Sequence, residues 1–135
     1  MSAKIQELIS DFNIIFRDMA NYIAVICPTS IIGRNIKDIN GAFDRLSPAN
    51  KTKFINGFVL KVLKYKEYID AENEKYFFQE IEKDEIKNNK DFKSNDINLY
   101  ELKTLWCDMT QENKDMIFQC LKSLCAISTE YILLV

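Results

Sequence analysis

The chain contains no histidine in 135 residues. That absence removes the side chain most often used as general base, zinc ligand and sensor of neutral pH, so an enzyme is not expected. Glycine occurs three times and proline twice. All-β folds use both freely in turns, so their scarcity points to helices. The four cysteines, Cys27, Cys107, Cys120 and Cys125, form no CxxC pair. The spacing of the last two suits neither zinc nor an intrahelical bridge. They read as reduced, buried thiols of an intracellular protein. Lys4, Glu7 and Asp11 make the first turns unlike a signal peptide, so secretion is not expected. No apolar run approaches the roughly 20 residues that span a bilayer, so membrane insertion is not expected either. Neither a phosphate-binding glycine loop nor a nucleophile elbow is present. No cofactor or metal site is expected.

What is present is the material of one helical core. With 47% apolar and 28% charged residues, the chain has a globular composition and not a disordered one. Its length suits a single domain over residues 1–135 that needs neither disulfide nor metal. Over residues 3–26, Ile5, Leu8, Ile9, Phe12, Ile15, Phe16, Met19, Ile23 and Ile26 recur at steps of three and four. This is one apolar stripe on a helix of roughly 36 Å, closed by Cys27-Pro28 because a residue before proline leaves the α region. Thr29 or Ser30 caps a second, short or broken segment carrying Ile32, Ile36, Ile39 and Phe43, which Gly33 and Gly41 weaken. Ser47-Pro48 reads as the cap and first position of a third helix bearing Phe54, Ile55, Phe58, Val59, Val62, Leu63 and Ile69.

Asp70 reads as the cap of a fourth helix containing Phe77, Phe78 and Ile81. A polar, turn-like stretch follows over residues 87–95. Asp96 then opens a fifth helix with Leu99, Leu102, Leu105 and Trp106, and Thr110 caps the last, with Met116, Ile117, Cys120, Leu121, Leu124, Ile127, Tyr131 and Ile132. The expected fold is all-α, a compact single-domain bundle of five or six helices.

Charge is segregated. Residues 51–66 hold Lys51, Lys53, Lys61, Lys64 and Lys66 and no acid, whereas residues 67–91 hold nine acids and four lysines. A basic helix can bind nucleic acid by releasing counterions, but the formal net charge of −2 favours two adjacent solvated faces. Tyr65, Tyr68, Tyr76, Phe77 and Phe78 surround the charge switch, where exposed tyrosines would suit a protein interface. The carboxylate pairs Glu80/Asp84 and Glu82/Glu85 have lysines interleaved and read as a solvated face. The end of the chain, Tyr131 followed by Ile132, Leu133, Leu134 and Val135, is apolar on every side. Such an end either docks into the core or meets a partner. The interaction candidates are therefore Tyr65, Tyr68, Tyr76, Lys61, Lys64, Tyr131 and Leu134.

Cys27-Pro28 after the opening helix, residues 69–78 (IDAENEKYFF), and Leu105-Trp106 leading through Thr110 with Lys114 into TQENKDMIFQCLKSLCAISTEY form an ordered pattern. It resembles small helical proteins of unknown function encoded by nucleocytoplasmic large DNA viruses. The Lys, Asn and Ile bias agrees with such a source. The shared residues are core and capping residues, so the resemblance implies a fold and no catalytic residues. The reading is a non-enzymatic helical interaction or structural protein of a virion or infected-cell assembly, acting through a protein partner or self-association. The alternatives are a nucleic-acid accessory protein using the basic helix over residues 51–66, and, more weakly, a host-defence antagonist resembling the small Bcl-2-like proteins of poxviruses.

Overall fold

The computed structural model describes residues 2–87, 106 and 109–135, without the side chains of 81, 82 and 84–87. Every regular element among them is helical: α1 (Ala3–Ile26), α2 (Ile31–Arg34), α3 (Ile36–Asp44), α4 (Lys53–Lys61), a 3₁₀ turn (Leu63–Tyr65), α5 (Lys66–Asp70), α6 (Glu74–Lys87) and α7 (Gln111–Leu134). The expected fifth helix, from Asp96 through Leu105, and the stretch 88–95 lie outside the described residues.

α1 forms where the stripe places it. Ser2 caps it, its hydroxyl accepting from Ile5 N–H at 3.2 Å. Cys27 closes it, its N–H donating to Ile23 O at 2.7 Å. α7 is its antiparallel partner. Thr110 Oγ1 caps α7 by accepting from Asn113 N–H at 3.1 Å. Tyr22 donates to Asn113 Oδ1 at 2.7 Å at one end of the pair, and Lys4 pairs with Glu130 at 3.5 Å at the other. Residue 113 is thus level with residue 22 and residue 130 with residue 4. Ile5, Leu8, Ile9, Phe12, Phe16 and Ile23 of α1 and Ile117, Phe118, Leu121, Leu124, Cys125 and Tyr131 of α7 enter one continuous core.

The short helices roof this pair with two clusters of rings. Phe12 and Phe16 meet Phe58, Phe54 and Phe43 at centroid distances of 5.4, 5.6 and 6.0 Å. On the α7 side, Phe118 meets Phe77 at 6.4 Å and Trp106 at 5.3 Å, and Phe77 meets Tyr65 at 5.7 Å. Trp106 N–H is satisfied by Glu74 Oε2 at 2.6 Å.

The second segment is broken, as Gly33 and Gly41 predict, and the third helix is shorter than expected. Ser30 caps α2, accepting from Gly33 N–H at 2.9 Å, but Asn35 Nδ2 donates back to Ile31 O at 2.8 Å. A side chain that competes for backbone carbonyls in this way ends the turn. The third helix starts at Lys53 and not at Pro48. Ser47 is no cap, because its N–H and hydroxyl both donate to Asn50 Oδ1, at 2.7 and 3.2 Å, leaving a turn over residues 47–52. Nor does Asp70 cap α6. It ends α5, where Lys66 pairs with it, and Asn73 caps α6 by accepting from Tyr76 N–H at 3.4 Å. Between them Glu72 takes the left-handed backbone, φ 51°.

Two glycines in helices predict opposite outcomes. A Cβ on Gly33 would lie 2.5 Å from Cys27 O and 2.6 Å from Pro28 O, whereas one on Gly57 meets nothing within 4 Å. Gly33→Ala is expected to destabilise by more than about 1 kcal/mol, and Gly57→Ala to stabilise by about 0.5–1 kcal/mol. Urea unfolding midpoints check both, and equal signs would contradict the packing. Ser128 is fully buried and its hydroxyl has no hydrogen-bond partner among the described residues. Ser128→Ala should raise stability by about 1 kcal/mol by removing that cost. A loss of stability in the same assay would show that the hydroxyl is bonded.

Candidate interaction surface

The seven residues singled out from the sequence part company in the structure. Tyr65 is only 4% exposed, edge-on to Phe77, with the Lys64 ammonium 5.2 Å over its ring. Tyr131 is 7% exposed, and its hydroxyl donates to Asn56 Oδ1 at 3.2 Å. Both are buried in the core. The three-four rhythm that continues from Phe58 and Val62, and from Leu124 and Ser128, carries them inward. Tyr76 is 51% exposed and stacks on half-buried Tyr68 at 6.5 Å. Lys61, Lys64 and Leu134 are exposed. The tyrosine pair is distant from Leu134: the neighbouring Phe77 packs on Phe118, about 24 Å of helix away at 1.5 Å per residue.

The basic run is divided among separate partners. Lys51 bonds Gln6 Oε1, Lys66 pairs with Asp70, and Lys53 and Lys64 lie over the rings of Phe54 and Tyr65. Lys53, Lys61 and Lys64 remain exposed. On the acidic side Glu80 pairs with Lys83 at 3.5 Å. The side chains of Glu82, Asp84 and Glu85 lie outside the described residues. No three His, Cys, Asp or Glu side chains among the described residues converge as a metal site requires.

The last turn of α7 has the opposite character. The stagger set by Tyr22–Asn113 and Lys4–Glu130 brings residues beyond 131 level with Ala3 and Ser2, where α1 begins. The stripe therefore runs past its partner. Ile132, Leu133, Leu134 and Val135 are all exposed, Leu133 by 78%. Leu60 adds a second apolar group, also 78% exposed, one turn along α4 from the Asn56 that holds Tyr131. Leu60 was missed in the sequence, although it falls between the Ile55–Phe58–Val62 positions that face inward. One described helix, Gln111–Leu134, is long and apolar enough to cross a membrane by length and composition. Its stripe is also the inner face of the bundle. Compared with family models, curated proteins and solved structures, the chain matches none.

Three of the thiols lie among the described residues. Cys125 is fully buried, Cys27 and Cys120 are half-buried, and Cys107 lies outside the described residues. Burial raises the pKa of Cys120, with Asp18 adding to the effect. Desolvation pushes Cys125 up from 9.0 to about 12, the Asp70 charge adding and Lys66 opposing. Its folded pKa is the higher one, so the folded state keeps a proton that the unfolded state loses above pH 9.0. This contribution to stability is complete below pH 9.0 and is lost as pH rises toward about 12. Iodoacetamide labelling at pH 8 followed by peptide mapping should find Cys125 protected until the chain unfolds. Labelling at the rate of the urea-denatured chain would contradict its burial.

Proposed function

We propose that the protein is a non-catalytic helical docking protein that offers the last turn of α7 to a protein partner. The observation that carries this reading is the exposure of Ile132, Leu133, Leu134 and Val135 on a helix whose preceding stripe is buried. Each large apolar side chain left in water forgoes roughly 1.5–3 kcal/mol of burial, and contiguous apolar exposure marks contact surfaces. Lys51, Lys53, Lys64 and Lys66 each meet a different group of the chain, which supports a protein partner over nucleic acid. On the resemblance carried by residues 69–78 and 105–131, that partner belongs to a virion or infected-cell assembly.

Leu133→Lys with Leu134→Lys tests the reading, since both residues are exposed and the fold should persist, with an unchanged circular dichroism melt. Light scattering on the eluting protein and affinity capture from producing cells should show an assembly with the wild-type chain that the double variant loses. The same recovery with both chains, or monomer alone with both, would overturn the proposal. A salt-sensitive shift of labelled duplex DNA, abolished by Lys61→Glu with Lys64→Glu, would favour the nucleic-acid reading instead.

A further inference from the structure

A cleft of about 310 Å³ opens between α1, the end of α3 and the chain entering α4. One wall is apolar: Ile9 and Ile14 from α1, and Phe43 and Leu46 from the end of α3 and the turn beyond. Ile14 is 56% exposed and lies off the stripe that α1 gives to the core. The charged lining is of one sign. Arg17 and Lys51 line the cleft, and no acid does so among the described residues.

The two cations differ. Arg17 is already engaged, its Nε donating to Asn40 Oδ1 at 2.9 Å, its NH2 3.0 Å from Asp44 Oδ1, and its guanidinium 5.8 Å over the Phe43 ring. It is a fixed wall. The Lys51 ammonium donates to Gln6 Oε1, a neutral acceptor, and no carboxylate pairs with it among the described residues. Its backbone is pinned, because Asn13 Nδ2 donates to Lys51 O at 3.3 Å. A carboxylate entering the cleft would displace a neutral amide, because bonds between ionised partners are roughly twice as strong as neutral ones.

We infer that this cleft binds a carboxylate carried on an apolar body. The carboxylate bonds Lys51, and the body lies along Ile9, Ile14, Phe43 and Leu46. A free aryl- or alkyl-carboxylic acid has this chemistry, and so does an acidic residue beside an apolar one in a peptide.

The probes are 4-phenylbutyrate, its neutral analogue 4-phenylbutanol, acetate, and the capped dipeptide N-acetyl-Leu-Glu-amide, each titrated into the full ¹⁵N-labelled chain. The expected result is that phenylbutyrate shifts the amides of Ile14, Phe43, Leu46 and Lys51, and that the alcohol and acetate bind at least about tenfold more weakly. Lys51→Gln and Ile14→Ser alter exposed or half-exposed positions, so the fold is kept, which circular dichroism verifies. Each should weaken phenylbutyrate by about tenfold or more. Tighter binding of the dipeptide than of phenylbutyrate supports the site with a protein as the source. No shift at about 10 mM ligand, equal binding of the alcohol, or undiminished binding by Lys51→Gln would overturn the inference.

Discussion

The seam between α1 and α7 hides two apolar stripes at once, and the other helices have no comparable surface to close on. α2 to α5 are each nine residues or fewer, too short to hold a helical form in water on their own. They persist because the long pair offers them rings and polar anchors. Phe12 and Phe16 receive α3 and α4, and Arg17 and Asn21 hold Asn40 of α3 through side-chain bonds of 2.9 to 3.0 Å. On the opposite flank, Lys122 of α7 holds the α5–α6 turn through Glu72 at 2.7 Å.

The same seam creates the surface proposed for docking. Two antiparallel helices of 24 residues that are held level at Lys4–Glu130 leave the last turn of α7 with no opposite number among the described residues. The apolar sequence continues beyond the point where the packing stops. Among the described residues the seam buries no Asp, Glu, Lys or Arg side chain. Its buried polar occupants include the Ser128 hydroxyl and the Cys125 thiol, which burial keeps protonated.

The long helices were legible in the sequence because their stripes run for six turns and their ends carry strong signals, Cys27-Pro28 for α1 and Thr110 for α7. The short elements were not, because a capping residue type is common and its use depends on neighbours. Ser47 spends its donors on Asn50, and Asp70 is taken by Lys66, so neither starts a helix. The burial of Tyr65 and Tyr131 follows from their core spacing, which the nearby charge switch and the apolar chain end obscure. The cleft could not be read at all. It depends on Gln6 and Asn13 meeting Lys51, a pairing across some 40 residues that no local pattern announces.

Hydrogen exchange under native conditions tests the primacy of the seam most directly. If α1 and α7 are the last elements to open, the amides of residues 8–23 and 117–131 should be the slowest. They should exchange together at the free energy of global unfolding, after those of α3 to α5. Slow amides confined to α4 and α5, with α1 or α7 exchanging early, would contradict it.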